Sequence, residues 1–203
     1  MYIPPHYNND DIEEIKNFLK NNSFGILINI VNGKPWGTHI PLELETDEFG
    51  KDILTGHIAK ANPQWKHFTD KAEVLCIFNG PHAYVSSSWY KKEEVPTWNY
   101  IAVHVYGTLK VLTEEETMAS MHRLVNKYEK QSKKPISLDQ MSEKTLRQVK
   151  GVVGFTVQVS DIQAMYKLSQ TRTDDHHKII SELEGRQDHG SQGVAQQMRD
   201  RTP

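Results

Sequence analysis

The sequence predicts a mainly β fold of the α+β class, an antiparallel barrel decorated by helices, and three observations carry that prediction. Stretches of alternating apolar and polar residues of similar length follow one another from Phe24 onward. Those of the first half are joined by turn-forming residues, as hairpins require. The clearest helical periodicities come after most of the strands, an order that suits a decorated barrel and disfavours parallel βαβ winding.

Each element follows from its own residues. Between Asp10 and Asn22, Ile12, Ile15, Phe18 and Leu19 stand at helical spacing behind Asn and Asp residues that suit an N-cap. Phe24, Ile26, Ile28 and Ile30 then alternate, Asn32-Gly33 tolerates the positive φ angles of a type I′ turn, and Trp36, Thr38, Ile40, Leu42 and Leu44 alternate again. A second turn over 47–50 leads into a strand over 52–58. Asn62-Pro63 reads as the N-cap and first residue of a short helix with Trp65 and Phe68 on its apolar face. Strands are expected over 74–78 and 83–87, and 100–112 alternates for long enough to curl around a barrel. A helix over 114–131 is expected to turn Met118, Met121, Leu124, Val125 and Tyr128 inward; a polar connection, a strand over 152–159 and short helices over 173–183 and 192–199 complete the chain. No repeat or linker divides it, so 1–203 is expected to be a single domain, with 173–203 as a C-terminal helical extension.

Composition narrows the function classes. A chain of 203 residues buries a core without metal or disulfide staples, and its lone cysteine, Cys76, cannot form an intrachain bridge. No long apolar run suits a membrane span, and Met1 to His6 lacks a signal-peptide pattern, so a cytoplasmic protein is expected. Lys and Arg number 24 against 26 Asp and Glu, a formal charge of -2, which gives no general attraction to nucleic acid. Dinucleotide, Walker, His-Glu-x-x-His, Cys-x-x-Cys and Gly-x-Ser-x-Gly motifs are absent. His39, His57, His82 and His104 lie on separate strand segments without ligand spacing, and no metal site is expected.

Two segments have the composition of a site. Thr55 to Trp65 runs from a strand into a helix start, where free N–H groups, the helix dipole and Lys60 suit a phosphate; equally, it is a plain turn capped by Asn62 with His57 buried. Ala83 to Tyr90 and Val95 to Tyr100 gather aromatics and hydroxyls that suit either a flat heteroaromatic ring or an interface. Arg123, Lys127, Lys130, Lys133 and Lys134 near the end of the long helix read as a solvated, dipole-complementing end or as a DNA-contacting face; no helix-turn-helix pattern accompanies them.

These segments carry a family resemblance across nearly the whole chain. Met1-Tyr2-Ile3-Pro4, Thr38-His39-Ile40-Pro41-Leu42, Gly56-His57-x-Ala59-x-x-Asn62-Pro63-Gln64-Trp65, Tyr84-Val85-Ser86-x-Ser88-Trp89-Tyr90, Val95-Pro96-Thr97-Trp98-Asn99-Tyr100 and Tyr166-Lys167-Leu168-Ser169-Gln170 resemble the PaiB family. That resemblance implies an FMN-binding split barrel, similar to pyridoxamine phosphate oxidase, which dimerises with flavin between the subunits. It also implies a negative transcriptional regulator of protease synthesis and sporulation. FMN is then the expected cofactor, a second copy of the chain the expected partner, and DNA a partner named by the family description alone. By the same resemblance the phosphate rests on the segment of His57, Ala59, Lys60, Ala61, Asn62, Gln64 and Trp65. His39 and Ile40 edge the flavin ring, Tyr84 and Ser86 come from the following strand, and Gln170 approaches from near the C-terminal strand. Ser87 and Thr171 depart from the Pro and Asn common in the family. A flavin-dependent oxidoreductase, with His39 or His57 as acid or base, and a haem-binding relative of the same barrel are the other readings.

Overall fold

The computed structural model describes residues 1–69 and 72–201. Its strands are β1 (Asn8–Asn9), β2 (Phe24–Val31), β3 (Lys34–Thr46), β4 (Asp52–Ala59), β5 (Glu73–Val85), β6 (Thr97–Val111) and β7 (Val152–Lys167). Its α-helices are α1 (Ile12–Asn21), α2 (Glu114–Glu129), α3 (Glu143–Leu146), α4 (His176–Glu184) and α5 (His189–Arg199). The sheet order is β1-β7-β4-β3-β2-β5-β6, and β7 also pairs with β6, so six strands close a ring with β1 added at β7. Closure removes the open edges that a flat sheet would expose. The mainly β, helix-decorated antiparallel barrel expected from the sequence is the fold. Among the described residues, no helix is long and apolar enough to cross a membrane.

Contacts gather the chain into two compact units. The larger comprises Leu19–Ile77 and Val105–Ile162. Its hairpin forms where Asn32 and Gly33 take φ of 51° and 76°, and β2 pairs with β3 from Phe24↔Pro41 to Val31↔Lys34. Leu27, Leu42, Leu54, Ile58, Cys76, Phe155 and Val157 fill its interior, where Phe68 meets Phe155 edge-on at 5.4 Å. Burial pushes the Cys76 thiol up to about 12, leaving it a small apolar side chain.

Helix α2 packs differently from the sequence expectation. Its fully buried residues are Thr117 and Ser120, while Met118, Met121, Leu124 and Val125 are only half-buried and Tyr128 is exposed. The reason lies in the strand beneath: a Cβ built on Gly154 of β7 would stand 2.4 Å from the Thr117 hydroxyl. The helix rests on bare backbone through small polar side chains. Thr113 and Glu116 close its N-terminus as a capping box.

The smaller unit comprises Met1–Phe18, Phe78–His104 and Gln163–Pro203. In it β1 pairs with β7 through Asn8↔Met165 and Asn9↔Ala164, and α4 packs on α5 around Ile179, Leu183, Val194 and Met198. The expected C-terminal extension is helical, though residues 202–203 lie outside the described ones. Two expected strands over 74–78 and 83–87 are one strand, β5, and β7 runs eight residues beyond the expected end at Val159.

Candidate functional site

The turn after β4 is shaped by four hydrogen bonds. The Lys60 N–H donates to Gly151 O at 2.7 Å, the Asn62 N–H to Ala59 O at 2.8 Å, the Gln64 N–H to Asn62 Oδ1 at 3.0 Å, and Trp65 Nε1 to Lys60 O at 2.8 Å. Asn62 is the N-cap and Pro63 the first residue, as the sequence indicates, but the helix they start is a five-residue 3-10 turn, Pro63–His67. Three backbone N–H groups and the Trp65 indole N–H are therefore already spent on protein. Among the described residues, what remains unpaired is the exposed Ala61 N–H and the exposed Lys60 ammonium, which has no carboxylate partner.

Gln64 holds this turn to the barrel interior. It is 0% exposed; its amide donates to Asn29 Oδ1 at 3.0 Å and to Leu27 O and Trp36 O at 3.3 Å, and its oxygen accepts from Thr38 Oγ1 at 2.5 Å. Asn62 Nδ2 reaches the same Thr38 hydroxyl at 3.0 Å. Sequence reasoning placed Gln64 at the phosphate; its side chain is instead consumed inside the barrel. Thr38, the hub of the cluster, was missed because its alternation with Trp36 and Ile40 marks it only as an inward position.

His57 faces elsewhere. It borders a cavity of about 420 Å³ with Thr55, Gly56, Ser120, Arg123 and Lys127, and burial lowers its pKa and favours the neutral imidazole. Two cations of that cavity are committed. Lys127 Nζ stands 2.5 Å from Glu43 Oε2, whose other oxygen accepts from Tyr128 OH at 2.7 Å, and Arg123 forks onto both oxygens of Glu45 at 2.8 and 3.0 Å. Burial raises the Glu45 carboxyl, but hydrogen bonds from Arg123 and Thr55 and the charges of Arg123 and Lys127 outweigh it and leave Glu45 below its ordinary value. Of the residues read as a DNA-contacting face, Arg123 and Lys127 clamp α2 to β3.

His39 lies on the outer face of the hairpin. Along β2, Leu27, Asn29 and Val31 are buried, whereas Phe24 is 66% and Ile30 59% exposed, with Ile26 and Ile28 half-exposed between them. Ile26 is the register partner of both His39 and Ile77, Ile28 that of Gly37 and Leu75, and the Phe24 and His39 rings are 6.4 Å apart. A wide apolar sheet face thus stands open, with one imidazole in it. Ile40 points the other way and is buried; Ala59 is exposed beside Lys60.

The three remaining positions belong to the smaller unit. Tyr84 is exposed, edge-on to Trp98 at 6.1 Å, and Trp98 is in turn 5.9 Å from His82. Ser86 caps the 3-10 turn Ser87–Trp89 and bonds Ser88 Oγ at 2.8 Å. Gln170 folds back on its own chain, accepting from the Leu168 N–H at 2.8 Å and donating to Tyr166 O, and it borders a cavity with Thr173, His176 and Arg201. Trp89 is buried under the Arg186 guanidinium at 4.8 Å.

Comparison with known proteins agrees with the fold and with FMN as the cofactor. The chain is 43% identical over 203 residues to "Protease synthase and sporulation protein PAI 2" of Bacillus subtilis, covering 99% of this chain and 98% of that one. An uncharacterised protein of Aspergillus fumigatus is 28% identical, covering 99% of this chain and 97% of its own. Among solved structures, the FAD and heme binding protein of Mycobacterium smegmatis superposes with a TM-score of 0.63 at 12% identity, over 86% of this chain and 80% of that one. The flavocytochrome Anf3 of Azotobacter vinelandii gives 0.63 at 11%, over 81% and 72%. Both likenesses concern the fold. Residues 1–161 match the family model described as "Putative FMN-binding domain", and with the full-length similarity to PAI 2 the chain belongs to that family of FMN-binding, PaiB-type proteins.

Proposed function

We propose that this chain is a homodimeric FMN-binding regulator of the PaiB type, repressing protease synthesis and sporulation functions, and that 1–203 works as one flavin-binding domain. The observation that carries the flavin half is the donor set after β4. An ammonium without a carboxylate and an N–H without an acceptor, side by side on an otherwise satisfied turn, are what a phosphate monoester recruits. Lys60 and Ala61 would hold the phosphate, while Asn62, Thr38 and Gln64 keep the turn in shape. The apolar face of Ile26 and Ile28 with His39 suits a flat ring with a polar rim. FMN, when bound, supplies a reversible electron carrier.

The regulatory half rests on kinship with PAI 2 along the whole chain. The homodimer is supported by the open face of β2, β3 and β5, since a sheet surface of isoleucine, leucine and phenylalanine matches the apolar interfaces of obligate dimers. No support for direct DNA reading comes from Arg123 and Lys127, which are paired within the chain. Sedimentation and absorbance of the protein loaded with FMN test the proposal together. A dimer carrying stoichiometric flavin, converted to monomer by Ile28→Glu, is expected. A parent monomer at micromolar concentration, or one that takes up no FMN, would overturn it.

A further inference from the structure

A cavity of about 540 Å³ in the larger unit meets the turn proposed above for the flavin phosphate only at its edge, through Lys60 and Trp65, and its other walls are assigned to neither flavin nor dimer face. It lies between the start of α2, the short α3 and the 3-10 turn that follows it (Arg147–Gly151), and the adjoining ends of β6 and β7; Trp65 lines one part. Its size falls within the range of small-molecule sites. Its walls are aliphatic, with Val111, Met118, Leu146 and Val149 prominent.

The segment that walls it is thinly packed. Neither α3 nor the turn after it has a single fully buried residue, yet Leu146 and Val149 stand three apart, both half-buried and both lining the cavity. A segment whose half-buried apolar side chains border an open cavity gains further burial when something fills that cavity.

Charge says what the occupant carries. Arg147 and Lys150 line the cavity with carboxylates only at long range, Glu143 at 3.8 Å and Glu114 at 4.0 Å, and all four side chains are at least 71% exposed. Exposed pairs of such length hold their cations weakly, and the guanidinium fork of Arg147 is shaped for a carboxylate. Lys60 at the cavity's edge is assigned above to the phosphate, which leaves Arg147 and Lys150 as the cations of this lining. We propose that this cavity is a second ligand site, taking a small aliphatic carboxylate whose chain lies against Met118, Leu146 and Val149 and whose head is met by Arg147 and Lys150. A regulator with such a site would sense an aliphatic acid separately from its flavin.

Octanoate titrated calorimetrically into the full-length, FMN-loaded protein tests this, beside octanol as the uncharged analogue. Saturable octanoate binding is expected. It should weaken about tenfold or more in Val149→Trp, which fills the cavity, and comparably in Arg147→Ala with Lys150→Ala, while FMN affinity stays within about twofold of the parent. Octanol should bind at least about tenfold more weakly than octanoate. Absence of saturable octanoate binding, octanoate binding unaffected by Val149→Trp, or octanol binding equal to octanoate would each overturn the inference. Loss of FMN in Val149→Trp would likewise overturn it, by making this cavity the flavin's own. Octanoate binding by a parent that takes up no FMN would sink the flavin reading alone and leave this one standing.

Discussion

Two basic segments of the larger unit, the end of α2 and the turn after β4, differ in structure. Lys127 and Arg123 of α2 sit at 2.5 and 2.8 Å from Glu43 and Glu45, with Tyr128 and Thr55 completing the ring of bonds. Lys60 has no such partner among the described residues, and the N–H next to it is equally unspent. A cation engaged by a neighbouring carboxylate contributes to packing, whereas one left open beside a free donor is available to an anion. The difference separates a structural clamp from the turn proposed for the phosphate, and it is not visible in the residue types alone.

The comparison breaks most severely if the support of the open turn is removed. Gln64→Leu removes a partner from the Thr38 hydroxyl, the Asn29 amide oxygen and the Leu27 and Trp36 carbonyls, and should cost about 2 to 4 kcal/mol in urea unfolding and abolish FMN binding. A loss below about 0.5 kcal/mol would mean that the interior network is not what shapes the turn.

Next in size is the clamp. Glu43→Ala removes the acceptor of both Lys127 and Tyr128 and should cost about 1 to 3 kcal/mol. FMN affinity should not change. Loss of flavin in a folded Glu43→Ala protein would join two regions that are here kept apart.

Arg123→Ala sharpens the comparison through pH. Glu45 is depressed below its ordinary 4.5, so the unfolded chain binds the proton more readily than the folded one. The stability this group contributes is fully present above pH 4.5 and is lost as pH falls through the lower folded value. The acid limb of a stability profile should therefore flatten in Arg123→Ala relative to the parent. An identical acid limb in both proteins would remove Arg123 as the cause.

The smallest effect on stability belongs to Lys60→Ala, expected within about 0.5 kcal/mol of the parent because the side chain is exposed and unpaired. Thermal unfolding without ligand checks it.

Much of the fold was legible because it rests on local chemistry. Asn32-Gly33 dictates a turn with two positive φ angles, and the alternation on each side fixes the register that β2 and β3 adopt. Where close approach decides, the pattern misleads. α2 carries its methionines and leucine at helical spacing, but Gly154 admits Thr117 onto the strand and turns the apolar residues partly outward. Separate strands are expected over 74–78 and 83–87, yet β5 runs through Asn79-Gly80-Pro81, and a Cβ on Gly80 would lie 2.8 Å from the Phe18 ring. At the site, Asn62 and Lys60 were legible as cap and cation. That Gln64 turns inward was not, because its partners Leu27, Asn29, Trp36 and Thr38 come from a distant hairpin. The isoleucines of β2 were read as strand pattern, and only the structure shows that the face they form is open.

The most direct test of the central claim, that Lys60 and Ala61 hold the FMN phosphate, is the ratio of FMN to riboflavin affinity in parent and Lys60→Ala proteins, titrated by flavin fluorescence. Losing a charge-assisted contact to phosphate should lower that ratio by about tenfold, through weaker FMN binding with riboflavin unchanged. An equal ratio in the two proteins, or a parent that binds riboflavin as tightly as FMN, would contradict it.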